Sequence, residues 1–468
     1  MSAANGGGVA WSLGDVVRAT GAEVLARGAA AAFTRVATDT RTLAGGELFL
    51  ALRGARHDAL RFVPEAERAG ARGVLVERVP ETPVGDGLTV LGAPDTLRAL
   101  QDLAAAHRRR HRPIVIGLTG SNGKTTTKEM LAAILAAASG ATTVLKTQGN
   151  LNNLVGVPLT LLGLTGAERY AVVEMGMNAP GEIWRLAEVA DPDVGLVTNV
   201  GPAHLEGLGT IDGVGRAKGE LFARMRASAI AVANADDPRV AALADAFPGR
   251  VVRFGRGTAI TAEDVRLGDD GAASFRLRVH GTAVDVRLRI PGRHNVQNAL
   301  AAAAAAASLG VGPEIAAAGL GRAEAVGDRM RVVRLPGGVT VLNDSYNANP
   351  ASVAAALQCL AEARAARRIA VLGDMLELGP GSAEHHRAVG RLAAGAGLHA
   401  LYVLGAHAAD TAAGAAEGLP AAAIHVAASH AAIAEALARE AAAGDWVLVK
   451  GSRGQRMEEV VRLLGEAR

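Results

Sequence analysis

The stretch Ile114-Val-Ile-Gly-Leu-Thr-Gly-Ser-Asn-Gly-Lys-Thr-Thr-Thr127 decides how this chain is read. Residues 114–118 form a continuous apolar run of buried-strand type, and 124–138 has the composition of a helix. The glycines between them let the backbone fold around a phosphate chain with its N–H groups pointing inward. Lys124 then reaches the outer phosphates, and the Thr125 hydroxyl is placed to ligate Mg²⁺. The strict form of this loop has glycine five residues before Gly123, where Leu118 stands. The glycines present are Gly117, Gly120 and Gly123.

Working outward from the loop, apolar runs at 170–174, 194–200 and 229–233 alternate with helix-length segments. This is the βαβ rhythm of a mostly parallel sheet. The stretch 250–290 breaks it with alternating patterns that predict antiparallel strands, and 291–309 returns to helix. After Arg329 a second βαβ series begins, with strands predicted at 339–342, 369–372, 400–404, 423–426 and 446–449 and a Gly337-Gly338 turn at its start. Before the loop, short apolar segments and helix-like runs (47–52, 62–69, 74–76, 97–107) predict a small α/β domain. The expectation is an α/β chain of three domains, 1–111, 112–329 and 330–468, with a mostly parallel sheet in the central one.

The chain has 468 residues, enough for several cores. Half are hydrophobic and 20% charged, as in soluble globular proteins. The net charge of +3 gives no reason to expect a nucleic-acid partner, and the basic patch 108–112 reads as a solvated helix end. The opening MSAANGGGVAW lacks a secretory pattern, and the alanine run 299–307 is too short to span a bilayer. A cytoplasmic monomer without membrane insertion is expected. The single cysteine, Cys359, excludes an intramolecular disulfide and a cysteine zinc cluster. Lysine occurs five times, at 124, 128, 146, 218 and 450, in a chain that otherwise uses arginine. Each surviving lysine is therefore a hint that the amine itself matters.

Thr119-Gly-Ser-Asn-Gly-Lys-Thr-Thr resembles the ATP loop of the Mur ligases, which extend the peptide of the bacterial cell-wall precursor. Further motifs follow in the family's order: Glu174-Met-Gly-Met, Ala203-His-Leu-Glu, Ala217-Lys-Gly-Glu, Asn234-Ala-Asp-Asp, Gly292-Arg-His-Asn-Val-Gln-Asn-Ala and Asn343-Asp-Ser-Tyr-Asn-Ala-Asn-Pro. The last of these, with Gly373-Asp-Met-Leu-Glu-Leu-Gly and Lys450-Gly-Ser-Arg, is most similar to members that add a dipeptide. The resemblance runs from about Thr38 to the C-terminus. It implies ATP and Mg²⁺ as cofactors, UDP-N-acetylmuramoyl-tripeptide and D-alanyl-D-alanine as substrates, a uridine-binding first domain, a central P-loop ATPase and a Rossmann-like C-terminal domain. Another ligase of the superfamily, including one adding glutamate to folate, is the alternative. A regulatory ATPase predicts hydrolysis without an amine, and a dehydrogenase lacks its Gly-x-Gly-x-x-Gly at the start of the C-terminal domain.

The resemblance carries roles residue by residue. Thr119, Gly120, Ser121, Asn122, Gly123, Lys124, Thr125 and Thr126 would hold the nucleotide. Asn298, Arg329, Asp344 and Tyr346 would contact its adenine, phosphate, ribose and base regions. Thr125, Glu174 and His204 would ligate metal, and Lys218 would do so as a carbamate, since a bare ammonium would repel Mg²⁺. From the residues alone, His204 reads as structural, and a surface helix lysine is the alternative for Lys218. Lys124, Lys218, His204 and Glu174 form the expected catalytic set. Asn295 reads equally as a helix cap, and Asn347 and Asn349 as turn residues. Thr38, Asp39, Arg41, Asn150, Asn152 and Asn153 are expected at the sugar-peptide nucleotide. Asp374, Lys450 and Arg453, with Glu377 and His386, are expected near the incoming dipeptide. The family often has Asp-Gly-His or Asp-Ala-His after Gly54, whereas this chain has Asp58-Ala59-Leu60.

Overall fold

The computed structural model describes residues 10–54, 58–81 and 83–467. The opening segment used to judge a secretory pattern lies largely outside them. By internal contacts the chain forms two compact units: residues 1–117, 142–176 and 184–193 in one, and 118–141, 177–183 and 194–468 in the other.

In the first unit, a five-stranded sheet runs in the order Glu23–Ala26, Thr89–Gly92, Gly73–Val76, Leu48–Leu50, Val36–Ala37. Only the pairing of Glu23–Ala26 is antiparallel. The two-residue period of a strand sorts its side chains to opposite faces. Leu48, Leu50, Leu75 and Leu91 pack with Ala99, Leu100 and Leu103 of the helix Thr96–His111. Phe49, Val74, Val76 and Val90 pack with Val63 and Ala66 of the helix Val63–Arg68. The same unit pairs Val144–Lys146 in parallel with Tyr170–Glu174. The basic patch corrects the expectation in part. Arg109 and Arg110 are exposed, but Arg108 is buried and donates to the carbonyls of Ala190 and Asp191, with Asp193 beside it. A guanidinium against carbonyls left unpaired at a helix end satisfies them and complements the dipole there.

In the second unit, Val194–Val197, Ile230–Asn234 and Arg250–Phe254 pair in parallel in that order. The strand Arg250–Phe254 was expected to be antiparallel. Its alternating pattern predicts a half-buried strand but carries no direction, which its neighbour Ile230–Asn234 sets. The following strands Ile260–Leu267, Ala272–Val279 and Thr282–Pro291 form the expected antiparallel sheet. The C-terminal sheet has the order Arg331–Arg334, Thr340–Asp344, Trp446–Lys450, Arg368–Gly373, Ala400–Leu404, Ile424–Val426. It is parallel except for its first strand, which the sequence reading missed. A hairpin through Gly337 (φ +82°) and Gly338 (φ +80°) turns that strand back, as the glycine pair predicts for a turn needing positive φ. Cys359 is buried in the helix Pro350–Glu362, and burial pushes its thiol up to about 12. Among the described residues no helix is long and apolar enough to cross a membrane.

The alanine run lies in the helix Asn295–Ser308, whose residues from Ala299 through Ala306 are all at most 2% exposed. Small side chains let this helix and Pro313–Leu320 pack closely against Lys124–Ser139. A Cβ on Gly319 would stand 2.4 Å from Ile134 Cα. Alanine ordinarily stabilises a helix interior by up to about 1 kcal/mol over glycine. Gly319→Ala is expected to reverse that sign and destabilise by about 1–3 kcal/mol through overpacking. The check is the thermal denaturation midpoint, and a value at or above that of the parent chain would contradict the packing argument.

Candidate active site

The strand Ile114–Thr119 delivers the chain into a turn whose glycines have no substitutes. Gly120 has φ +154°, and a Cβ there would lie 1.8 Å from Thr198 Oγ1. Gly123, at φ +78°, caps the helix Lys124–Ser139 without a side-chain bond, and its Cβ would lie 2.1 Å from Asn298 Oδ1. The segment 198–201 holds the turn in place. Thr198 Oγ1 donates to Asn122 O (2.7 Å), Asn122 N donates to Asn199 Oδ1 (2.9 Å), and Ser121 Oγ donates to Gly201 O (3.0 Å). Thr198 and Asn199 were not among the expected site residues, although they lie a few residues before the quoted Ala203-His-Leu-Glu motif. The buried Thr119 hydroxyl has no hydrogen-bond partner. Lys124 Nζ donates to Gly120 O at 2.7 Å, so the lysine folds back over the loop.

Asn298 sits beneath the loop. Its Nδ2 donates to Asn295 Oδ1 (2.8 Å), and Asn295 Nδ2 donates to Pro291 O (2.6 Å). Asn295 therefore braces Asn298 and does not cap the helix. Asn349 caps the helix Pro350–Glu362 and also donates from Nδ2 to Asn122 Oδ1 (2.8 Å). Its turn role and a contact with the loop coexist.

Lys218, in the helix Ile211–Arg224, is 1% exposed. Burial deprives its ammonium of water and the charge of Lys124 opposes it, so its pKa falls well below the ordinary lysine value. It is not the surface lysine that its helix alone suggests. His204 adopts φ +55° at the start of the short helix Leu205–Leu208, and its Nδ1 is 2.7 Å from Glu377 Oε2.

Asp344 and Lys450 end adjacent parallel strands and are directly paired in register. Lys450 Nζ lies 2.6 Å from Asp344 Oδ2 and 2.9 Å from Asn347 O, and the lysine is 2% exposed. Asp344 Oδ1 also accepts from Met330 N (3.1 Å). The Arg329 guanidinium stacks 3.5 Å from the Tyr346 ring centroid, with that of Arg453 at 5.7 Å. Asp374 is buried and accepts from the backbone N–H groups of Ala406 (2.7 Å) and His407 (3.1 Å). Its neighbour His386 is also buried, receives the Met375 N–H at Nε2 (2.9 Å) and approaches Ser382 O with Nδ1 (2.7 Å). Asp374 and Lys450, expected near the incoming dipeptide, are thus each hydrogen-bonded within the protein.

The remaining expected residues belong to the first unit. Glu174, 1% exposed at the end of its strand, accepts from Asn152 Nδ2 (2.8 Å), and its N–H donates to Thr147 Oγ1 (2.9 Å). Asn153 Oδ1 accepts from Gly156 N (2.8 Å), while Asn150 is exposed. Asp39 pairs with Arg41 through both oxygens, and that guanidinium holds its carboxyl below the usual range. Glu47, in the quoted Gly-Glu-Leu-Phe motif, is buried and accepts from the N–H groups of Ala44 and Gly45, which shapes the nearby loop. Thr38 is half-buried just before Asp39.

Residues 118–306 match the Mur ligase middle domain, and residues 328–453 the Mur ligase, glutamate ligase domain. The UDP-N-acetylmuramoyl-tripeptide–D-alanyl-D-alanine ligase of Escherichia coli (strain K12) is 41% identical over 446 residues, covering 94% of this chain and 95% of that protein. The protein of the same name from Bacillus subtilis (strain 168) is 36% identical over 436 residues, covering 92% and 93%. The solved structure of MurF from Acinetobacter baumannii superposes with a TM-score of 0.90 at 33% identity, over 98% of this chain and 100% of that one. MurF ligase from Thermotoga maritima in complex with ADP gives 0.82 at 29% identity, over 92% and 97%. The chain shares the three-domain α/β arrangement of these structures, with mostly parallel sheets. A glycine loop braced for a phosphate chain, a buried lysine beside it and likeness over nearly the whole length lead to one conclusion: the chain belongs to the Mur ligase family.

Proposed function

We propose that this chain is an ATP-dependent ligase that joins D-alanyl-D-alanine to UDP-N-acetylmuramoyl-tripeptide, giving the pentapeptide precursor of peptidoglycan. The observation that carries the ATP-dependent chemistry is the loop of residues 119–126, set without room for side chains at Gly120 and Gly123, with Lys124 over it and Lys218 buried nearby in charge. Likeness to relatives of that name over 95% and 93% of their length supports the choice of substrates. Work in the cytoplasm as a monomer fits these small-molecule substrates.

A carboxylate is a poor electrophile because its oxygen cannot leave. Transfer of the γ-phosphoryl group of ATP to it gives an acyl phosphate and ADP. The dipeptide amine then adds to the carbonyl carbon, and the tetrahedral adduct expels phosphate and loses a proton to form the amide. The loop residues fit the nucleotide. The open helix N-terminus at Gly123, the unpaired Thr119 hydroxyl and the Lys124 amine are donors to phosphate oxygens. Lys124 exchanges its bond to Gly120 O for phosphate, which keeps the cation at the site of charge transfer. Asn298 would approach the adenine end, and Arg329, Tyr346 and Asp344 its ribose and phosphates, with Lys450 holding the Asp344 carboxylate in position.

Among the described residues no three His, Cys, Asp or Glu side chains converge on one point. That suits a cation held largely by phosphate oxygens and a few protein ligands, as Mg²⁺ usually is. Thr125, His204 and carbamylated Lys218 would hold it. Mg²⁺, when bound, offsets the repulsion between carboxylate and phosphate. A depressed amine pKa raises the share of free amine at neutral pH, and that amine adds CO₂ to give a carbamate and a proton. Residues 1–111 would bind the uridine nucleotide through Thr38, Asp39 and Arg41, and residues 112–329 would bind ATP. Asn150, Asn152 and Asn153 would meet the sugar-peptide, and residues 330–468 would bind the amine, with Arg453 nearby.

Two outcomes check this reading. In a phosphate-release assay with UDP-N-acetylmuramoyl-tripeptide and ATP, D-alanyl-D-alanine should stimulate turnover far more than any single amino acid. A faster rate with a free amino acid would mean that the wrong family member has been chosen. Lys218→Ala should lose about two orders of magnitude in kcat or more, and added short-chain carboxylate should restore part of it. Intact mass under ambient CO₂, compared with CO₂-depleted buffer, should show the adduct in the parent chain. A fully active protein carrying no adduct would remove the carbamate from the mechanism.

A further inference from the structure

His204 and Glu377 are 173 residues apart in sequence and meet side chain to side chain. Both have left-handed backbones, at φ +55° and +63°. Neither is glycine or asparagine, the residues that adopt this conformation readily. The surroundings hold them there. Glu206 N donates to Glu377 O (3.1 Å), and Leu376 N donates to Ser452 Oγ (2.8 Å), whose hydroxyl donates to Ala348 O (3.2 Å). The contact is therefore fixed at the backbone on both sides, whereas most exposed ion pairs are not.

A carboxylate only accepts hydrogen bonds, so Nδ1 of His204 carries the proton. In the neutral ring, Nε2 is then the nitrogen that supplies a lone pair. A carboxylate on the far ring nitrogen is the partner that orients metal-binding histidines and raises their basicity.

We propose that Glu377 is a positioning residue of the metal centre. It fixes the tautomer and ring orientation of His204 so that Nε2 ligates a divalent cation. Glu377 lies between the strand Arg368–Gly373 and the helix Ser382–Ala394, in the part of the chain assigned to amine binding. It thereby makes the metal ligand depend on the placement of that segment. The inference rests on the reading of His204 as a metal ligand given above.

The test is Mn²⁺ binding followed by electron paramagnetic resonance, with the full chain and a non-hydrolysable ATP analogue. In parallel, the free Mg²⁺ dependence of phosphate release is measured at saturating MgATP. Glu377 is half exposed, so its substitution leaves the core intact. Glu377→Ala should weaken cation binding about tenfold or more with the KM for ATP unchanged. Glu377→Gln keeps an acceptor oxygen and should recover most of the loss. His204→Ala is the control. If it weakens binding while Glu377→Ala binds as the parent does, or more tightly, the positioning role is overturned and the ligand reading stands. If His204→Ala also binds as the parent does, both fall.

Discussion

Close approach at Gly120 and Gly123 governs this molecule. At both positions the backbone is left-handed or nearly so, and a neighbouring side chain occupies the space a Cβ would take. Those neighbours, Thr198 and Asn298, come from distant segments, so the loop keeps its shape only while both remain seated. Asn298 is seated by Asn295 and by a helix of alanines whose small side chains bring it up against Lys124–Ser139. The phosphate site is thus an outcome of core packing. The alanine helix, unremarkable in composition, sets the distance between the loop and the residue beneath it.

Charge is treated in the same economical way. The second unit buries Lys128, Lys218 and Lys450, and it meets the desolvation of the last two differently. Lys450 receives a carboxylate and a carbonyl, which makes it a brace for Asp344. Lys218 faces the positive charge of Lys124, and its pKa is driven down. Lys450 is held by its partners and serves structure. Lys218 is held toward its neutral amine, the pattern expected where a titratable group has a task.

Much of the fold was legible because its signals are local. The strand–glycine turn–helix of 114–139, the antiparallel stretch from 260 to 291 and most strands of the C-terminal sheet follow from apolar periodicity and turn residues. The edge strand Arg331–Arg334 was missed, since four residues with arginine at both ends carry little apolar signal. Arg108 was misread for a related reason. Within a run of basic residues, nothing local marks the one that faces the carbonyls of Ala190 and Asp191.

By itself, the sequence determined the phosphate loop, the positions of its lysine and threonine, the alanine helix and the order of strands along the chain. These depend on backbone preference and spacing over a few residues. Tertiary structure alone decided the pairings: Lys450 with Asp344, Asn349 with Asn122, His204 with Glu377, and Asp374 with the N–H groups of Ala406 and His407. The physical reason lies in sheet order. The last strand, Trp446–Lys450, inserts between Thr340–Asp344 and Arg368–Gly373, so the partner of a side chain at a strand end is set by a crossover some hundred residues away. Periodicity shows which face a residue takes, but its charge is satisfied by whichever strand arrives beside it.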